Sequence, residues 1–158
     1  LEIRTRRKKH QLISASLGGA NQFPPTLIAR NVQTGEEVQF SGLDKPRIPN
    51  PNGNYWKIGA VSVKELPPGV YEIHDFVTPS VPFHVTVKPI DKPKIRFELQ
   101  ANKATYIGNI NFYAAASGTY TLTVRDKRNR DLEIFAKGWR KIDLDTVEYA
   151  LAKDVRGR

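Results

Sequence analysis

The chain alternates apolar and polar residues with a period of two through much of its length. Ile95, Phe97 and Leu99 oppose Lys94, Arg96 and Glu98. Tyr120, Leu122 and Val124 oppose Thr119, Thr121 and Thr123, and Phe83, Val85 and Val87 oppose His84, Thr86 and Lys88. Successive strand side chains point to opposite faces, so this spacing predicts strands buried on one side. Tyr106, Ile110 and Phe112 are expected on one face with Gly108 between them. One-sided burial marks antiparallel sheet, and two such sheets packed together give a β-sandwich.

Turn chemistry divides the strands. Residues 26–30 and 36–40 read as a hairpin around 31–35, with Gly35 taking the positive φ. Pro67-Pro68-Gly69 predicts a type II corner, after which Tyr71 and Ile73 face one way and Glu72 and His74 the other. Residues 44–54 (DKPRIPNPNGN) are too rich in Pro and Asn for a central strand and read as an exposed loop. The segment 55–64 that follows is apolar on both faces at first, as in a central strand with a bulge.

After Asp126 the period changes. Leu132, Phe135, Ala136 and Trp139 fall at helical spacing, predicting an edge helix over 127–138 that lies on the sandwich. Asp145 and Glu148 resemble a capping box for a second short helix, with Val147 and Leu151 inward. The expected fold class is therefore mostly β, an antiparallel β-sandwich of Ig-like or prealbumin-like type with one or two short C-terminal helices. The expected organisation is a basic tail over 1–12, a sandwich domain over 13–142 and a short helix or tail over 143–158.

Composition narrows the function. At 158 residues, 39% of them hydrophobic, the chain can bury one ordinary core without staples. Having no Cys, it cannot form disulfides, zinc thiolates or thiol nucleophiles. With no Met even at position 1, its start is expected to lie downstream of an initiator, with a signal or anchor removed. The net charge of +9 sits mostly on the flanks: residues 1–10 carry +4, 125–158 carry +3, and the long middle only +2. A nucleic-acid reader more often carries its basic stripe on the folded surface, so nucleic acid is an unfavoured partner.

Candidate chemistry is sparse. His74 and Asp75 are neighbours expected on opposite strand faces, which does not suit a metal site. No Gly-x-Ser-x-Gly elbow or phosphate-cradling loop is present, so no enzyme, cofactor or metal is expected. Arg125, Lys127, Arg128 and Arg130, mixed with Asp126 and Asp131, read as surface pairs at a helix start. Two surfaces remain as candidates. Asn52, Asn54, Tyr55 and Trp56 could form a recognition edge for glycan, peptidoglycan or peptide. Arg4, Arg6, Arg7, Lys8 and Lys9 could lie against anionic lipid headgroups.

The segments 66–73 (LPPGVYEI), 97–110 (FELQANKATYIGNI) and 120–126 (YTLTVRD) occur in an order that resembles a family. It is a loose group of bacterial exported proteins, often lipoproteins, with a transthyretin-like or carboxypeptidase-regulatory-like β-sandwich. The resemblance spans about residues 60–140, and its motifs are structural corners that transfer no functional residue. It implies export to the periplasm or outer membrane and a membrane tether through a missing N-terminus. The role implied is a structural or interaction module, with an envelope protein or glycan as partner.

Overall fold

The computed structural model describes residues 10–18, 25–41, 47–48, 59–80, 85–87, 92–114, 120–138 and 143–157. The fold is mostly strands, arranged in two sheets with one α-helix. The first sheet has the order β10 (Tyr120–Arg125), β9 (Ala104–Ala114), β1 (His10–Gly18), β5 (Gly59–Lys64) and β4 (Arg47–Ile48). The second runs β12 (Lys153–Asp154), β8 (Ile95–Leu99), β6 (Gly69–Ser80), β2 (Thr26–Asn31) and β3 (Glu37–Ser41). Two short strands lie off these paths: β7 (Val85–Val87) pairs with β6, and β11 (Glu148–Tyr149) pairs with β9.

The second sheet is antiparallel throughout. The first is antiparallel except where β9 meets β1 and β11, which run parallel to it. β1 was not foreseen as a strand, since LISAS does not alternate. It lies between β5 and β9, where backbone pairing on both sides outweighs a weak side-chain pattern.

Both sheets contribute to one core. Leu27, Phe40, Tyr71, Ile73, Phe76, Ile95 and Phe97 come from the second sheet, and Ile107, Ile110, Phe112 and Leu122 from the first. Phe76 meets Phe112 edge to face with ring centres 5.0 Å apart. A second cluster, Ile48, Val61, Tyr106, Phe135 and Val147, lies where α1 (Arg128–Gly138) covers the opposite face of the first sheet. β5 is thus buried on both faces over its first four residues, and no bulge breaks its pairing over 59–64, while residues 55–58, where the apolar run begins, lie outside the described residues.

The shared face expected for Tyr106, Ile110 and Phe112 is corrected by a register shift. Leu12 pairs with Tyr106 but Ser14 with Asn109, so β9 carries one extra residue there. The bulge turns Tyr106 towards α1, while Ile110 and Phe112 stay in the inter-sheet core. Gly108 has φ +106°, and a Cβ there would lie 2.8 Å from Val124 Cγ1 and 2.9 Å from Leu151 Cδ2. Only glycine fits this corner without strain.

The hairpin holds as expected. Asn31 Oδ1 accepts from the N–H groups of Gln33 and Thr34, and Gly35 has φ +74°. At 66–71 the expected type II corner gives way to a different device. Gly69 opens β6 with φ +148°, far from the +80° or so of that turn, and the Tyr71 hydroxyl donates back to Pro67 O at 2.9 Å. The hydroxyl thus ties the start of β6 back to the corner four residues upstream. On the outer face of β6, Glu72 is buried between Arg30 and Arg96, which donate to its two carboxylate oxygens at 3.1 and 2.8 Å. Burial raises the carboxyl's pKa, but the two guanidinium groups more than offset that and hold it below the ordinary range.

The C-terminal expectation is also corrected. Residues 143–157 form a 3₁₀ turn, Leu144–Thr146, followed by β11 and β12 rather than a second α-helix. The cap is Asp143, whose carboxylate accepts from Asp145 N–H, while Glu148 reaches Lys103 instead of closing a box. Ala150 and Ala152 donate to Tyr106 O and Ile107 O, and Val155 donates to Lys94 O. The segment is therefore a strap that leaves one sheet and joins the other.

Candidate functional site

Asn52, Asn54, Tyr55 and Trp56, like Arg4, Arg6, Arg7, Lys8 and Lys9, lie outside the described residues. His84 does too, and of His10 only its place in β1 is described. His74 and Asp75 are placed, but not as expected. A bulge in β6 sets Ala29 opposite Ile73 and Ile28 opposite Asp75, so His74 is the extra residue and the alternation breaks there. His74 Nε2 lies 2.9 Å from Glu37 Oε1, while Asp75 pairs with Lys92 and accepts from Phe76 N–H. The two do not converge, and no cluster of three metal-ligating side chains occurs among the described residues.

The organised polar feature is at the start of α1. Asp126 follows β10 and accepts the Arg128 N–H at 2.9 Å, as a helix cap does. One turn into the helix, Asp131 falls on the buried side, four residues before Phe135. Its side chain is fully enclosed, which corrects its reading as a surface residue. A buried carboxylate is tolerable only when hydrogen-bonded, and this one is. The Tyr106 hydroxyl donates to Oδ2 at 2.8 Å, and Arg130 donates to Oδ1 from Nε and Nη2 at 2.8 and 2.6 Å. Tyr106 in turn accepts the Lys127 N–H at 3.2 Å.

The network extends outward through Tyr149 of β11. Its ring stacks on Tyr106 with centres 6.0 Å apart and planes 20° from parallel. The Arg128 guanidinium lies 5.5 Å from the centre of the Tyr149 ring, within cation–π range. The Tyr149 hydroxyl bonds to Asp126, which raises the phenol's pKa and lowers the carboxyl's. Tyr106 is also raised, first by burial and then by Asp131. Both hydroxyls therefore stay protonated across the physiological range and act as donors, not bases.

Asp126, Lys127, Arg128, Asn129, Arg130 and Tyr149 together line an open cleft of about 580 Å³. Such an arrangement presents fixed cationic donors, suited to holding an anionic group in place. Arg128 is set by the aromatic pair and Arg130 by the buried carboxylate. Sequence spacing pointed to the helix and its cations, but not to Tyr106, Asp131 or Tyr149. Asp131 could have been flagged, since it lies one turn before Phe135 on the stripe that must face the sheet. Tyr149 had no such signal, because its position depends on the strap. Comparison with protein-family models, curated proteins and solved structures finds no match for this chain.

Proposed function

We propose that the protein is a non-enzymatic module of the bacterial cell envelope, exported to the periplasm or outer membrane, that acts through structure and protein contact. The structural part of this reading is supported by the Tyr106–Asp131 network. It spends a buried carboxylate and a buried hydroxyl on fixing the shape and charge of a surface.

The test is fractionation of cells expressing the gene with its native N-terminus, together with mass analysis for acylation. Recovery in the envelope fraction with a lipid-modified N-terminus is expected. Unmodified protein in the cytosol would overturn the envelope reading.

A further inference from the structure

Resting on the reading of the chain as an interaction module, we infer that the cleft at the start of α1 is a docking site for an acidic peptide segment of a partner protein. Three observations lead there. The lining carries Lys127, Arg128 and Arg130, while its one exposed carboxylate, Asp126, already accepts from Arg128 N–H and bonds to the Tyr149 hydroxyl. Arg128 is held over Tyr149, which is backed by Tyr106, so its guanidinium is positioned before any ligand arrives. Arg130 is held through Nε and Nη2 by the buried Asp131, which offsets its charge and leaves Lys127 and Arg128 as the cations that meet a ligand. One buried carboxylate thus organises two arginines, directly and through the stacked rings. Cations fixed in advance lose little freedom on binding, which favours affinity.

The charge pattern also selects the partner. Guanidinium groups match the planar fork of a carboxylate, and a cleft of about 580 Å³ takes a few residues, not a long polymer. A nucleic acid needs a continuous basic track. Away from the cleft, Arg30 and Arg96 are tied to Glu72, Lys92 to Asp75, Lys103 to Glu148, Lys137 to Glu133 and Arg156 to Asp154. These pairs offset the charge of those cations.

The experiment is fluorescence-anisotropy titration of the full chain into a labelled hexaglutamate peptide, with a labelled single-stranded oligonucleotide of equal charge alongside. Saturable peptide binding is expected, about tenfold weaker in Arg128→Gln and weakened by salt. Lys127→Gln provides a second variant on the rim in case Arg128→Gln disturbs the fold, and it too should weaken binding. Lys94→Gln, on an exposed cation outside the cleft, should leave affinity unchanged. Absence of saturation, indifference to both cleft substitutions, or tighter binding of the oligonucleotide would each overturn the inference. A failed titration leaves the envelope reading to fractionation, and a cytosolic protein leaves the cleft to titration.

Discussion

Replacing Tyr106 with Phe removes one oxygen from a buried site while keeping the ring that packs beside Phe135 and Val61. The lost hydroxyl donates to a fully enclosed carboxylate, and a hydrogen bond to a charged group is worth about 1.5–3 kcal/mol. Its second role, accepting from Lys127 N–H, contributes little, because Lys127 is exposed and water can take over. Arg130 still holds the other carboxylate oxygen, which limits the penalty. The expected loss is about 2 kcal/mol, or a fall in Tm of about 4–8 °C for a chain of this size. Urea unfolding followed by far-UV circular dichroism measures it, with the m-value unchanged. Asp131→Asn should cost a similar amount. The double variant should cost about 1–2 kcal/mol less than the sum, since both changes remove the same bond. A Tyr106→Phe loss below about 0.5 kcal/mol, or strict additivity in the cycle, would refute the claim that this bond anchors α1 to β9.

Two further predictions follow from the glycines and the ion-paired carboxylate. Gly108→Ala should cost about 2–4 kcal/mol in chemical denaturation, because the new methyl meets Val124 and Leu151 at a positive φ. Gly35→Ala, with open space around it and only the φ to strain, should cost about 1 kcal/mol; equal losses would show that crowding is irrelevant. Since the Glu72 carboxyl lies below its ordinary value of 4.5 in the folded state, its contribution is present above that value and lost as pH falls through the folded pKa. Glu72→Gln should therefore flatten the fall in stability as pH drops below the ordinary value of 4.5, and an unaltered slope would count against the Arg30–Glu72–Arg96 cluster.

Legibility in the sequence followed the range of the forces involved. Ile95, Phe97 and Leu99 were readable because one-sided burial imposes a period of two on adjacent residues. Phe135 was readable because a helix imposes its own period; Ala136, assigned to the same stripe, turns out exposed at the stripe's edge. The bulge at 107–108 was hidden because a single inserted residue swaps faces without altering the apolar composition around it. Strands such as β11 and β12, two residues each, carry no periodicity at all; partners 40 to 60 residues distant define them. The candidate cleft shares that origin. Its cations are local in sequence, but Tyr106 and Tyr149 join them only after the bulge and the strap are in place.

The position of β1 has a consequence for the order of assembly. It joins β5 on one side and β9 on the other, and the second of those partners lies about 90 residues further along the chain. Closing so long a loop is entropically costly before any contact offsets it, and parallel pairing cannot start from a hairpin. The hairpin of β2 and β3 can form early and alone, whereas the first sheet must wait for β9, and the strap must wait for both sheets. The folding reaction is thus expected to be slow and late for its size, with a period in which β5 and β9 expose unpaired edges.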